Sequence, residues 1–360
     1  MLKKAAALVL VCASMSAWLG CGTTSSRFLY AAIPTSNTLV AYREDPNAGV
    51  LTQLSGSPIS AGSAVEAVAL HPSGKYLYAA NSGNNNISLY TVSSSGALTE
   101  VTPRTNAGTS PTLLAMDAAG GFLYAANSGS ADISVYSIDS STGLLTAVAQ
   151  ATGTTAPIGL QPMNIALTPS GNFLYVTGEE PLTGGANIGV IEAFPVSQGV
   201  IEFPVATSPF FTGNNPLGLA IDSTGSHLYT ANKQDNSISA FTINADGSLV
   251  AVAPAIGESF VGPVSLLIDK SGKFLYVANQ GSANVAAYNI GSDGGLTLLS
   301  GSPFTTGSQP SFLASDSGGN YLFVGYSSGL QSYSLSSSGT LTSIATYSVS
   351  ATPTSIVMTP

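Results

Sequence analysis

Short apolar runs alternate with polar, glycine-rich stretches along the whole chain after residue 25, with no helical periodicity between them. Runs of this length bounded by turn residues predict buried β-strands. The pattern is written seven times. An aromatic-leucine-tyrosine signal recurs with its last residue at Tyr30, Tyr78, Tyr124, Tyr175, Tyr229, Tyr276 and, as phenylalanine, Phe323, at spacings of 48, 46, 51, 54, 47 and 47 residues. Each copy opens on an apolar first strand, as in Pro111 to Asp117, Pro216 to Asp222 and Pro263 to Asp269. A turn with glycine four residues before the aromatic (Gly74, Gly120, Gly171, Gly225, Gly272, Gly319) leads to the second strand, because glycine accepts the positive φ of such turns. The aromatic of the third strand (Tyr42, Tyr90, Tyr136, Phe241, Tyr288) lies 12 residues after the second-strand tyrosine in five copies. That constancy marks one stereotyped hairpin, since loop length sets register. A fourth strand follows Gly96, Gly143, Gly294 and Gly339.

The two ends decide the count. The first copy begins at its second strand, Arg27 to Tyr30, and the last residues, Pro353 to Pro360, form one more first strand. Joined, Met358 to Pro360 followed by Ser25 to Tyr30 reproduces the run from Leu167 to Tyr175. The prediction is an all-β fold, a seven-bladed β-propeller of four-stranded blades over residues 27–360, its first blade closed by the C-terminal strand. Such closure removes exposed sheet edges, and a monomer is expected.

Residues 1–20 stand outside the repeat. Lys3 and Lys4, the apolar stretch Ala5 to Ala13, and Trp18 to Cys21 predict a secretory signal. Leu19-Gly20-Cys21 resembles a bacterial lipobox, with Trp18 in place of the usual aliphatic residue. Cys21 is therefore the expected lipidation site, residues 21–26 a short tether, and the cell envelope the expected location, with the membrane reached through the lipid alone. Cys12 lies inside the signal, so no internal disulfide is expected. Charged residues are only 8% of the chain, 18 acidic against 9 basic, and two of the basic ones belong to the leader. A surface this acidic offers nothing to a phosphate backbone, which excludes nucleic acid as a partner.

The units Phe173 to Thr177 and Phe274 to Asn279, with the turns Pro72 to Lys75 and Lys270 to Lys273, resemble the YVTN-type repeats of the lactonase family of seven-bladed propellers. That family includes bacterial 6-phosphogluconolactonase-like proteins and fungal carboxymuconate cyclases, and the resemblance covers essentially the whole chain after residue 25. It implies a channel mouth carrying His, Arg and Glu near the starts of the first strands, often with a His two residues after the opening proline. The matching positions here are Ala67, Leu113, Asn164, Gly218, Ser265, Phe312 and Ser355, and none can act as a general base near neutral pH. Arg27, Arg43 and Arg104 lie in or beside second-strand or outer-strand sequence, which argues against an anion clamp.

Individual polar residues carry the remaining chemistry. Glu66 holds the second position of a first strand, where the other copies have Thr112, Met163, Leu217, Val264, Ser311 and Thr354. First strands line a propeller's channel, so this carboxylate can meet a ligand, although a solvated rim position is the plainer reading. His71 ends the same strand in a slot that elsewhere holds Asp117, Thr168 or Asp222, which points to a turn cap before catalysis. His227 reads as surface. The fourth copy carries an insertion, Gly178 to Gly189, that lengthens the second-to-third connection by 7 residues and brings Glu179 and Glu180. Insertions on loops carry binding, yet these adjacent carboxylates lack the spacing of a calcium loop. The asparagine-rich connectors from Asn81, Asn232 and Asn279 are explained by turn chemistry, so no metal or cofactor is expected. The ligand-binding candidates are thus Glu66, Asn164, Glu179 and Glu180, and the catalytic ones Glu66 and His71. The expected function is a non-catalytic binding or scaffold module that takes a protein or carbohydrate at a channel mouth or at the insertion. The alternative is a lactone hydrolase of the 6-phosphogluconolactonase-like type.

Overall fold

Antiparallel pairing follows chain order in six of the seven copies of the repeat, and in the first the last strand of the chain takes the axial place. The structure, a computed structural model, describes residues 26–151, 153–181, 187–252, the backbone of 256–257, and 260–360. The expected signal and Cys21 lie outside the described residues. In blade 2 the axial strand Val65–Leu70 pairs with Tyr76–Asn81, that strand with Asn86–Val92, and the last with Leu98–Asn106. Seven such sheets stand around one axis. The turn glycines of the second strands all have φ between 70° and 73°.

Blade 1 draws on both ends of the chain, as expected. Ser355–Met358 pairs with Arg27–Ile33 from Leu29↔Met358 to Ala32↔Ser355. Beyond the ladder, the Phe28 N–H donates to Thr359 Oγ1 at 2.8 Å and the Thr359 N–H to the Phe28 carbonyl at 2.9 Å.

The outermost strand differs from the four-strand expectation. In blades 2 and 7 it is one long element, Leu98–Asn106 and Leu341–Ser348. In the other five the third strand pairs with two short pieces instead, for example Leu51–Gln53 and Ile59–Ser60. Pro58, Pro209 and Pro303 stand just before the second piece in blades 1, 4 and 6, where a residue without an N–H interrupts a ladder.

The core is divided among the junctions. Seven hydrophobic clusters each combine two neighbouring blades, such as Tyr78 and Leu89 with Leu123 and Tyr136. The repeated tyrosine has its meaning here. Its hydroxyl donates to a glycine carbonyl in the next blade: Tyr30 to Gly96 at 2.8 Å, Tyr78 to Gly143 at 2.7 Å, Tyr175 to Gly247 at 2.9 Å, Tyr229 to Gly294 at 3.0 Å and Tyr276 to Gly339 at 2.8 Å. The first aromatic of the motif packs on the same glycine. Gly143, at φ 75°, leaves no room for a side chain, since an added Cβ would lie 2.5 Å from the ring of Tyr76. All seven junctions are apolar clusters, and five of them are closed by this buried, directional hydrogen bond.

Candidate functional site at the channel mouth

The axial strands enclose a channel of about 480 Å³. Its mouth is ringed by Glu66, Thr112, Leu217 and Val264, the second residues of their strands, and by Met163, Ser311 and Thr354, each just before its strand. In blades 2, 3, 5 and 6 the register skips the second residue, as where Val65 faces Asn81 and Ala67 faces Ala80. Glu66, Thr112, Leu217 and Val264 are therefore bulge residues, and a bulge re-aims its side chain out of the ladder. Glu66 is half-buried, and its carboxylate has no hydrogen-bond partner among the described residues. Burial pushes its carboxyl up from the usual range.

Other polar groups around the channel are committed to holding blades together. Asn164 Nδ2 donates to the Leu217 carbonyl at 2.6 Å, while its Oδ1 accepts the Ile165 N–H at 2.8 Å. Ser311 donates to the Pro353 carbonyl and Thr354 to the Glu66 carbonyl, both at 2.6 Å. Asn164 is a tie between blades 4 and 5. Thr112 keeps a hydroxyl with no partner among the described residues, in the blade beside Glu66.

His71 sits at the far end of the strand from Glu66. The Ser73 N–H donates to its Nδ1 at 3.1 Å, which leaves the proton on Nε2, 3.1 Å from the Gly120 carbonyl of blade 3. It caps its turn, as Asp117 and Asp316 do in their blades by accepting the Phe122 and Tyr321 N–H groups. His227 departs from the surface reading. Its Nδ1 lies 2.8 Å from Asp222 Oδ2, and its ring packs on Gly294 in the place of the usual aromatic.

The insertion extends the blade-4 hairpin as a ladder through Pro181↔Asn187. Glu179 is used there: its Oε1 accepts the Asn215 N–H at 2.9 Å and its Oε2 the Asn187 amide at 3.1 Å. Glu180 stands on the same ladder, opposite Ile188, away from the channel lining. No group of three His, Cys, Asp or Glu suited to a metal occurs among the described residues.

Sequence reasoning missed Glu44. This residue fills a third-strand slot that holds Val92, Ile138, Ile243, Ile290 and Leu335 in other blades, and that departure was a visible signal. Both Glu44 oxygens are buried without a hydrogen-bond partner. Arg27 Nη1 lies 2.6 Å from Asp316 but 4.0 Å from Glu44, so one guanidinium faces two buried carboxylates at the closing junction. Burial, then the charge of Asp316, pushes the Glu44 carboxyl up to about 7, against the pull of Arg27. With the folded value above the unfolded one, the folded chain binds the extra proton between them, and the associated stability is lost as pH rises through about 7. Melting curves at pH 5 and pH 8 are expected to show a loss on the order of 3 kcal/mol from this group, absent in Glu44→Gln. An identical pH dependence in the variant would show that Glu44 is already neutralised by its surroundings.

Comparison with known proteins decides the family. The profile described as "Lactonase, 7-bladed beta-propeller" matches residues 24–160 and 159–303. This chain belongs to that family. Its fold is similar to that of a candidate 6-phosphogluconolactonase from Bacteroides fragilis, at 20% identity and a TM-score of 0.77 over 94% of this chain and 99% of the other. It is similar also to a periplasmic gluconolactonase from Pseudomonas aeruginosa, at 17% identity and a TM-score of 0.72 over 93% and 99% of the two chains. Hydrazine synthase from Kuenenia stuttgartiensis matches as well, at 14% identity and a TM-score of 0.60 over 89% and 95%. Among curated proteins none matches by sequence. Likeness to solved structures at these identities shows the propeller fold alone, and propellers host unrelated chemistries.

Proposed function

We propose that this lactonase-family propeller hydrolyses uncharged lactones at its channel mouth, with Glu66 as general base. The observation that carries the reading is an unpartnered, half-buried carboxylate on a bulge at the mouth. Family membership and neighbours named for lactonase activity support this alternative ahead of the non-catalytic module expected from sequence.

Ionised Glu66 takes a proton from water as the water oxygen bonds to the lactone carbonyl carbon. The Thr112 hydroxyl, which lines the channel from the neighbouring blade, donates toward the oxyanion. The proton then passes from Glu66 to the ring oxygen as the acyl C–O bond breaks, giving a hydroxy acid. A phosphorylated lactone is a poor fit, because among the described residues no lysine or arginine lines the channel, while Arg27 and Arg104 are paired with Asp316 and Glu100. Met163, Leu217 and Val264 complete the ring and suit an uncharged ligand.

A second reading, binding without turnover, is favoured by the lack of any cationic group at the mouth among the described residues. Hydrolysis of glucono-δ-lactone, compared with 6-phosphogluconolactone and with the Glu66→Gln variant, separates the two readings.

The envelope location is likewise a proposal and rests on Leu19-Gly20-Cys21. Cys21→Ser is expected to move the protein from the membrane fraction to the soluble one, as no described helix is long and apolar enough to cross a membrane. Retention in the membrane fraction would overturn the lipid anchor.

A further inference from the structure

On the face where the channel opens, a second depression of about 470 Å³ lies between blades 5, 6 and 7. Its position is marked by departures from the repeat. The two residues after the second-strand asparagine are Ser82-Gly83 in blade 2 and Ser128-Gly129 in blade 3, but Lys233-Gln234 in blade 5 and Gln280-Gly281 in blade 6. The left-handed residue before the axial strand is Ala64 or Ser110 in blades 2 and 3, but Asn215 in blade 5 and Gln309 in blade 7. The backbone frame is unchanged: the residue after the asparagine donates its N–H to that left-handed residue in blades 2, 3, 5 and 6. Where the repeat carries small residues, this sector carries long polar ones.

Those side chains are uncommitted. Ser82 and Ser128 return their hydroxyls to the frame, donating to the Ala64 and Ser110 carbonyls at 3.1 Å. Connector amide nitrogens elsewhere on this face are likewise occupied, Asn81 Nδ2 on Asn86 at 2.9 Å and Asn127 Nδ2 on Asp132 at 2.7 Å. Lys233, Gln234, Gln280 and Gln309 make no side-chain hydrogen bond to any described residue, and the Asn215 side-chain oxygen is buried without a partner. Val261 adds an apolar surface, 55% exposed. Amides that both donate and accept, beside one apolar patch, match the alternating hydroxyls and C–H faces of a sugar.

Charge selects among sugars. Lys233 is the one described cation carried by a second-to-third-strand hairpin. Glu179, bonded to the Asn215 N–H at 2.9 Å, and Asp235, bonded to the Asn214 N–H at 2.7 Å, stand at the same rim. Two carboxylates beside one ammonium disfavour an acidic ligand. We propose that the Lys233, Gln234, Gln280, Gln309 and Asn215 depression is a binding site for an uncharged oligosaccharide. The site uses neither Glu66 nor the channel and does not rest on lactone hydrolysis.

The test is binding of the full chain to an array of neutral gluco-, galacto-, manno- and xylo-oligosaccharides, with oligogalacturonates alongside. At least one neutral series is expected to bind, and the double variant Gln280→Ala, Gln309→Ala to weaken it at least about tenfold. Gln309 is exposed and Gln280 half-buried, and alanine already occupies the left-handed slot at Ala64, so an unchanged melting temperature certifies the fold. Glu66→Gln is expected to leave capture unchanged. No binding to any neutral series, binding indifferent to the double variant, or tighter binding of the galacturonates would each overturn the proposal.

Discussion

A chain that ends at Thr352 is expected to lose cooperative unfolding. The removed segment supplies the axial strand of blade 1, so its loss leaves Arg27–Ile33 with an open edge toward the channel. Ile356 leaves the cluster between blades 1 and 7, and Ser355 no longer accepts the Val68 N–H of blade 2 at 3.2 Å. Both junctions of blade 1 are weakened together, and a ring with an open junction exposes apolar surface on each side of it. The cost is of the same order as the whole stability of a domain, about 5–15 kcal/mol, so aggregation or a broad transition is expected in thermal and denaturant melts. Moving residues 353–360 to a position just before Ser26 restores the strand through a new connection and is expected to restore the transition. A truncated chain that melts cooperatively at the full-length midpoint would show that the ends do not share a blade.

Glu66→Gln is expected to lower the protein-dependent hydrolysis of glucono-δ-lactone by about 10²-fold or more, the contribution of a positioned general base. The carboxamide keeps the shape of the side chain and removes its ability to take a proton. In the unmodified protein kcat/KM should rise with pH through an inflection above the usual carboxylate range, because burial raises the Glu66 carboxyl and only its ionised form is a base. His71→Ala should leave that profile in place while lowering the melting temperature, since it loses the bond to the Gly120 carbonyl. Lactone opening in buffer is appreciable, so heat-denatured protein at equal pH is the reference. A rate equal to that reference, with lactone still bound, would reject hydrolysis in favour of the binding reading.

The period, the blade count, the turn glycines and the closure of the ring by Pro353 to Pro360 were all present in the sequence. They depend on local chemistry: alternation along a strand, glycine at positive φ, and loop length setting a hairpin register. The exceptional status of Glu66 was also visible, because a repeat shows at once which position differs. What the tyrosine motif does was not visible, since Tyr78 meets Gly143 from 65 positions away across a blade junction. Nor was the bulge that turns Glu66 out of its ladder, because a bulge is a property of pairing and leaves no mark on one strand alone. Asn164 looked like a ligand donor until packing placed the Leu217 carbonyl at 2.6 Å. Glu44 shows the division most sharply: its odd residue type is written in the chain, but its protonation depends on exclusion of water and on sharing Arg27 with Asp316. Strand patterns arise between neighbours in sequence, whereas desolvation and hydrogen bonding across blades arise between segments brought together only when the ring closes.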